Sequence, residues 1–212
     1  MSVTRIERAQ LALVPIDRRA WLRYMRSGEP TREVETLLDA CEQEAEDCFD
    51  FRACYRYFAI RVEKNEVNLG FARVESASLS RHLAGCDGIF LLAATVGIGM
   101  DRLIAKHSRL SPAHALCLQA LGTERVESLC DSACSYLAAT KEASGKALTS
   151  RFSPGYGDLP LSLQKPILET LDCPRQIGLS LNESLLMTPT KSVTAIVGLR
   201  DVEKEFLIHE RG

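Results

Sequence analysis

The chain lacks any pair of cysteines at CxxC spacing, although it carries eight cysteines in 212 residues. Zinc and iron–sulfur sites usually repeat such close pairs. Cys41, Cys48, Cys54, Cys86, Cys117, Cys130, Cys134 and Cys173 therefore read as small, buried apolar residues of a reducing compartment. No GxSxG elbow, HExxH, P-loop or HxE…CxxC pattern occurs, which removes the chemistries those motifs serve. No apolar run reaches the roughly 18 residues needed to span a bilayer. The start, Met1 to Arg8, lacks the apolar core of a secretory signal, so a cytoplasmic protein is expected. Excess charge is also missing. The 26 Lys and Arg residues face 28 Asp and Glu residues, a net charge of −2. That balance leaves no electrostatic footprint for nucleic acid or an anionic membrane. No internal repeat or low-complexity linker interrupts the chain.

What is present is 46% hydrophobic and 25% charged residues, enough for a proper core. Residues 31–48 have the spacing of an amphipathic helix capped by Thr31, with Glu42, Glu44, Glu46 and Asp47 as its solvated face. Residues 55–75 alternate around Lys64-Asn65, as a β-hairpin would. A short helix is expected over 78–84. Residues 88–96 form an apolar run with the character of a buried strand, ending in Gly97-Ile98-Gly99, and helical pattern resumes at Met100. This GxG lacks the third glycine and βαβ context of a dinucleotide site. Ser111-Pro112 opens a long helix over 111–143, with Gly145 as its end and Gly122 as a kink or close contact. A further helix is expected over 160–171, interrupted at Pro166, and a last strand over 192–199, followed by a charged tail. Hairpin, helices and separated strands in this order predict an α+β fold. Residues 1–84 form an N-terminal helical and hairpin segment packed with residues 85–212, as one compact domain.

No catalytic residue is assigned. His107 and His114 have no carboxylate partner at ligand spacing, and a surface or capping role is expected for these two, His82 and His209. No metal ligand is assigned either. Cys130 and Cys134 would share a helix face, as would Cys41 and Cys48, so a cysteine-based metal or redox site stands as an alternative.

The densest segment is Arg151-Phe152-Ser153-Pro154-Gly155-Tyr156-Gly157-Asp158-Leu159-Pro160. Two prolines and two glycines rule out a continuous helix or central strand. The result is a stiff loop bearing one permanent cation and one amphipathic ring, suited to a polar ligand with an anionic part.

Arg151 to Tyr156 resembles the R-x-x-P-G-Y motif of the activation (reactivation) domain of cobalamin-dependent methionine synthase. Glu183-Ser184-Leu185-Leu186-Met187-Thr188-Pro189 with Ser192-Val193 is similar to that family's E-S-x-x-M-x-P-x-x-S-V segment. Phe90 to Gly97 and Ala120 to Glu127 are similar to its apolar strand and following helix. The likeness covers roughly residues 85–199, and the N-terminal 80 residues look like the short, free-standing members of the group. The aspartate-tryptophan-threonine-proline motif and the late tyrosine pair of the fused domain are absent. Asp17, in Pro15-Ile16-Asp17-Arg18, is the candidate for the missing aspartate.

The resemblance implies a curved, mainly antiparallel sheet flanked by helices. It implies S-adenosylmethionine as ligand, and docking on the cobalamin carried by a partner methionine synthase that lacks its own activation domain. The role would be reductive remethylation of the corrinoid, as a component of a methyltransferase. By carry-over, Arg151 binds the ligand carboxylate, the Ser153 backbone contacts the ligand, and Tyr156 lines the site near the methyl group. Pro154, Gly155, Glu127, Glu183, Ser184 and Asp17 are further candidates. An alternative is a corrinoid-methyltransferase interaction subunit without S-adenosylmethionine binding.

Overall fold

The computed structural model describes residues 2–7, 10–11 and 14–201; His209 and the charged tail lie outside the described residues. Strands β1 (Thr4–Ile6), β2 (Arg52–Ala59), β6 (Cys86–Thr95), β7 (Lys146–Leu148) and β10 (Ser192–Asp201) form the central sheet. Its order is β1-β2-β6-β10-β7, and all four pairings are antiparallel. Strands β1 and β2 come from before residue 85 and the rest from after it. The apolar run of β6 has a plain cause: the strand sits at the middle of the sheet, and both its faces are covered. Phe90, Leu92 and Ala94 point into one core, and Ile89, Leu91 and Ala93 into the other. Each fully buried Phe or Leu there contributes about 1.5–3 kcal/mol.

The first core is roofed by helices α1 (Arg18–Tyr24), α2 (Arg32–Ala45), α4 (Ile98–Ser108) and α5 (Pro112–Ala138). Trp21 of α1 is fully buried and donates its indole N–H to the Cys117 carbonyl of α5 at 2.8 Å. The second core is covered by α3 (Ala77–His82), α6 (Gln164–Thr170) and α7 (Cys173–Ile177). Two small antiparallel sheets complete the molecule: β3 (Arg61–Val62), β4 (Glu66–Asn68) and β5 (Arg73–Glu75) in one, β8 (Ser180–Leu181) and β9 (Met187–Thr188) in the other. Among the described residues no helix is long and apolar enough to cross a membrane.

This is the mixed helix and antiparallel-sheet architecture expected, and several local expectations also hold. Thr31 caps α2, and Ser111 caps α5 with Pro112 in its first turn. Others are corrected. A turn does fall at Lys64-Asn65, but it joins β3 to β4 only. The run from Tyr55 belongs to β2, because it pairs with β6 over residues 52–59. Helix α5 stops at Ala138, not at Gly145. The Ala139 N–H turns back to the Leu137 and Tyr136 carbonyls, and a 3-10 turn over Lys141–Ala143 leads into β7. At Gly122 the close-contact alternative holds: the stem of Lys191 crosses there, and a Cβ would stand 3.0 Å from Lys191 Cγ. The expected helix over 160–171 is a 3-10 turn, Leu161–Leu163, followed by α6. Pro166 lies in the first turn of α6, where no intrahelical N–H bond is lost. The acidic run of α2 is not all solvated face, since Glu44 turns toward Lys106 and His107.

Candidate functional site

The loop at 151–160 is fixed at both ends. Phe152 exchanges backbone hydrogen bonds with Ile196 of β10, and its ring is buried in the second core. At the other end the Asp158 carboxylate accepts from Ser76 Oγ, Ala77 N–H and Ser78 N–H at the start of α3. Those bonds, the Ser76 hydroxyl first, pull its pKa down to about 2. Gly157 sits at φ +59°, and a Cβ there would stand 2.9 Å from Ser78 Oγ, so the close approach of loop to helix needs glycine. Inside the loop, Tyr156 N–H donates to Ser153 O and Gly155 N–H to Leu159 O. Pro154 is buried and Ser153 half-buried, whereas Gly155 is exposed. Tyr156 is 69% exposed, with its ring edge-on to Phe152 at 5.3 Å.

Because backbone direction alternates in an extended segment, Arg151 leaves the sheet on the side opposite Phe152 and reaches α5. Its Nη2 donates to Glu127 Oε2 at 2.6 Å and its Nη1 to Asp131 Oδ1 at 2.7 Å. Glu127 and Asp131 lie one helical turn apart, so one planar guanidinium spans both. Burial pushes the Cys134 thiol up, and Arg151 beside it pulls it partly back.

Glu127 and Asp131 also line a cleft of about 320 Å³ between α1 and α5, together with Asp17, Tyr24, Glu124, Ser128 and Ser132. Asp17 enters as the cap of α1: its carboxylate accepts from the Arg19 and Ala20 N–H groups. Those bonds, Ala20 first, lower its pKa. Its own N–H donates to Glu124 Oε1 at 3.1 Å. Glu124 is in turn ion-paired with Arg125, and Arg125 donates to the Val14 and Pro15 carbonyls. Both charges are over 90% buried. The Glu124–Arg125 pair thus ties the segment before α1 to α5 and holds Asp17 beside Glu127. Ser128 Oγ and Ser132 Oγ are buried in the cleft wall without hydrogen-bond partners. Burial, and then the charge of Glu127, push the Tyr24 phenol up, so it stays protonated.

The structure therefore brings Asp17, Glu127 and Arg151 to one side of α5. Carboxylates, hydroxyls and the Arg23 guanidinium line the cleft, and Glu127 and Asp131 hold Arg151 beside it, a charge set that suits a zwitterion. Glu183 and Ser184 go elsewhere. They occupy the exposed tip of the β8–β9 hairpin, and Glu183 lines a separate cleft of about 560 Å³ with Lys165, Leu168 and Asp172. Glu124 is ion-paired, as expected of a charged residue inside this helix, whereas Tyr24, Ser128, Asp131 and Ser132 join the cleft without having been singled out in the sequence. The i, i+4 spacing of Glu127 and Asp131, and of Ser128 and Ser132, was the available signal.

One further expectation is corrected. His107 and His114 do have a carboxylate partner, Glu44 of α2, at 2.8 and 3.4 Å. Sequence spacing could not show it, because the three residues come from three helices.

No family model matches the chain, and no curated protein matches it in sequence. Among solved structures it is similar to the MetH reactivation domain bound to AdoHcy. The match has a TM-score of 0.67 at 16% identity, and covers 95% of this chain and 79% of that one. The chain thus has the fold of the MetH reactivation domain.

Proposed function

We propose that the chain binds S-adenosylmethionine and serves as a reactivation protein. In this reading it docks on the cobalamin module of a cytoplasmic methionine synthase lacking its own activation domain, and supports reductive remethylation of the corrinoid. The observation that carries the reading is the meeting of Asp17, Glu127 and Arg151 beside α5, on a fold whose solved counterpart binds AdoHcy. Residues 1–84 and 85–212 act as one unit, since β1 and β2 join the same sheet as β6.

Each residue has a task its chemistry suits. Arg151 takes the ligand carboxylate in place of one of its two acidic partners, a bidentate exchange that lysine would not reproduce. Asp17 and the unpartnered hydroxyls of Ser128 and Ser132 receive the ammonium group. The ring of Tyr156, exposed at the loop tip, attracts the sulfonium through its π face. Pro154 and the Asp158 anchor hold the loop in its bound shape beforehand, which lowers the ordering cost of binding. Cobalamin on the partner supplies the cobalt that accepts the methyl group.

A second reading draws on the same arginine. Arg151 already has two carboxylates, so the chain could serve a corrinoid methyltransferase as an interaction subunit without the nucleoside. A reactivation assay separates the two. The chain is added to an oxidised methionine synthase truncated before its activation domain, with a reductant, with and without S-adenosylmethionine. Recovery of turnover that requires both chain and S-adenosylmethionine supports the first reading. Recovery without the nucleoside supports the second, and no recovery contradicts both.

A further inference from the structure

Glu44 near the end of α2, His107 near the end of α4 and His114 in the first turn of α5 converge on one point, with their ligand atoms all within 4.8 Å of one another. His107 Nε2 lies 2.8 Å and His114 Nε2 3.4 Å from the same oxygen, Glu44 Oε2. The imidazoles stack, with centroids 4.1 Å apart and planes 10° apart. Both Nε2 atoms are shut off from solvent, and both face the same Glu44 oxygen without a well-aligned hydrogen bond. Buried polar atoms normally find well-aligned partners, so two ring nitrogens crowded on one carboxylate oxygen call for a partner common to all three.

A shared cation is such a partner. A tetrahedral ion with bonds of about 2.1 Å sets its ligand atoms about 3.4 Å apart, close to the spacings here. Two imidazoles and a carboxylate suit zinc and its first-row neighbours, whereas calcium and magnesium take oxygen ligands. Lys106 Nζ sits on Oε1 at 2.6 Å and leaves Oε2 to the imidazoles. From residue 114 to residue 127, α5 rises about 20 Å, so this cluster lies apart from the Arg151 cleft.

We propose that Glu44, His107 and His114 form a zinc-class divalent cation site, completed by water, that clasps the ends of α2, α4 and α5. On coordination both rings turn about χ2 until their lone pairs meet at the ion, which opens the stack. The inference is independent of the S-adenosylmethionine reading.

The test is a cobalt(II) titration of the chelator-treated full chain, followed by absorption. Wild type should take up one equivalent, with visible bands of a nitrogen–oxygen site and no strong thiolate-to-cobalt band, and zinc should displace it. His107→Gln and His114→Gln, checked for fold by circular dichroism, should each weaken uptake at least about tenfold. Lys106→Gln alters an exposed side chain and removes a competing ammonium, so it should tighten uptake. If the histidine variants do not fold, this arm carries the test alone. No saturable uptake, unchanged uptake in a folded histidine variant, a strong thiolate band, or unchanged or weaker uptake in Lys106→Gln would overturn the proposal.

Discussion

Helix α5 carries two charged clusters that differ in how they are built. Near its start, His114 meets Glu44 and His107, three residues drawn from three helices. Further along, Glu127 and Asp131 meet Arg151, which a shaped loop delivers. In the first cluster a single carboxylate faces two imidazoles and a lysine. In the second a single guanidinium faces two carboxylates beside a cleft with unpartnered hydroxyls. The first has unsatisfied bases and calls for a cation. The second sets Arg151 against two acids, beside a cleft that Arg23 also lines.

The largest expected effect lies behind the second cluster. Arg125→Met leaves Glu124 buried and unpaired, and releases the Val14 and Pro15 carbonyls. Breaking a buried pair this way costs about 3–5 kcal/mol. A denaturation midpoint close to wild type would show that the pair does not tie α1 to α5. Next is Arg151→Ala, which should weaken S-adenosylmethionine binding by about 1.5–3 kcal/mol, the range for a charged hydrogen-bond partner. An unchanged dissociation constant would remove Arg151 as the carboxylate anchor.

A pH series sharpens the contrast at the other end. The folded-state pKa of Glu44 lies at about 2, below its ordinary value of 4.5. Its contribution is therefore complete above pH 4.5 and is lost as pH falls through about 2. The stability gap between wild type and Glu44→Gln should shrink across that window, and a gap independent of pH would contradict the assignment. The smallest effect is expected for Asp158→Asn at the exposed loop anchor. It should lower the melting temperature slightly at neutral pH, and the difference should fade as acid protonates wild-type Asp158 toward pH 2.

The sequence made some of this legible and hid the rest for physical reasons. Strand β6 was readable because burial on both faces leaves a continuous apolar run. The start of α5 was readable because a serine cap and first-turn proline are local chemistry. Its end was not, since Ala139 and the 3-10 turn after it offer no breaker, and Gly145 at φ +72° serves a later turn. The residues after Tyr55 alternate as any half-buried strand would, and alternation does not name the partner strand. Arg151 was found through its loop. Its partners on α5, and the pairing of Glu44 with His107 and His114, depend on contacts between distant segments that no spacing rule encodes.

The most direct test of the central claim is calorimetric titration of the full chain with S-adenosylmethionine, run beside Arg151→Ala and Asp17→Asn. The account predicts one saturable site in wild type and weaker binding in both variants. No binding by folded wild type at millimolar ligand, or equal affinity in all three proteins, would contradict it.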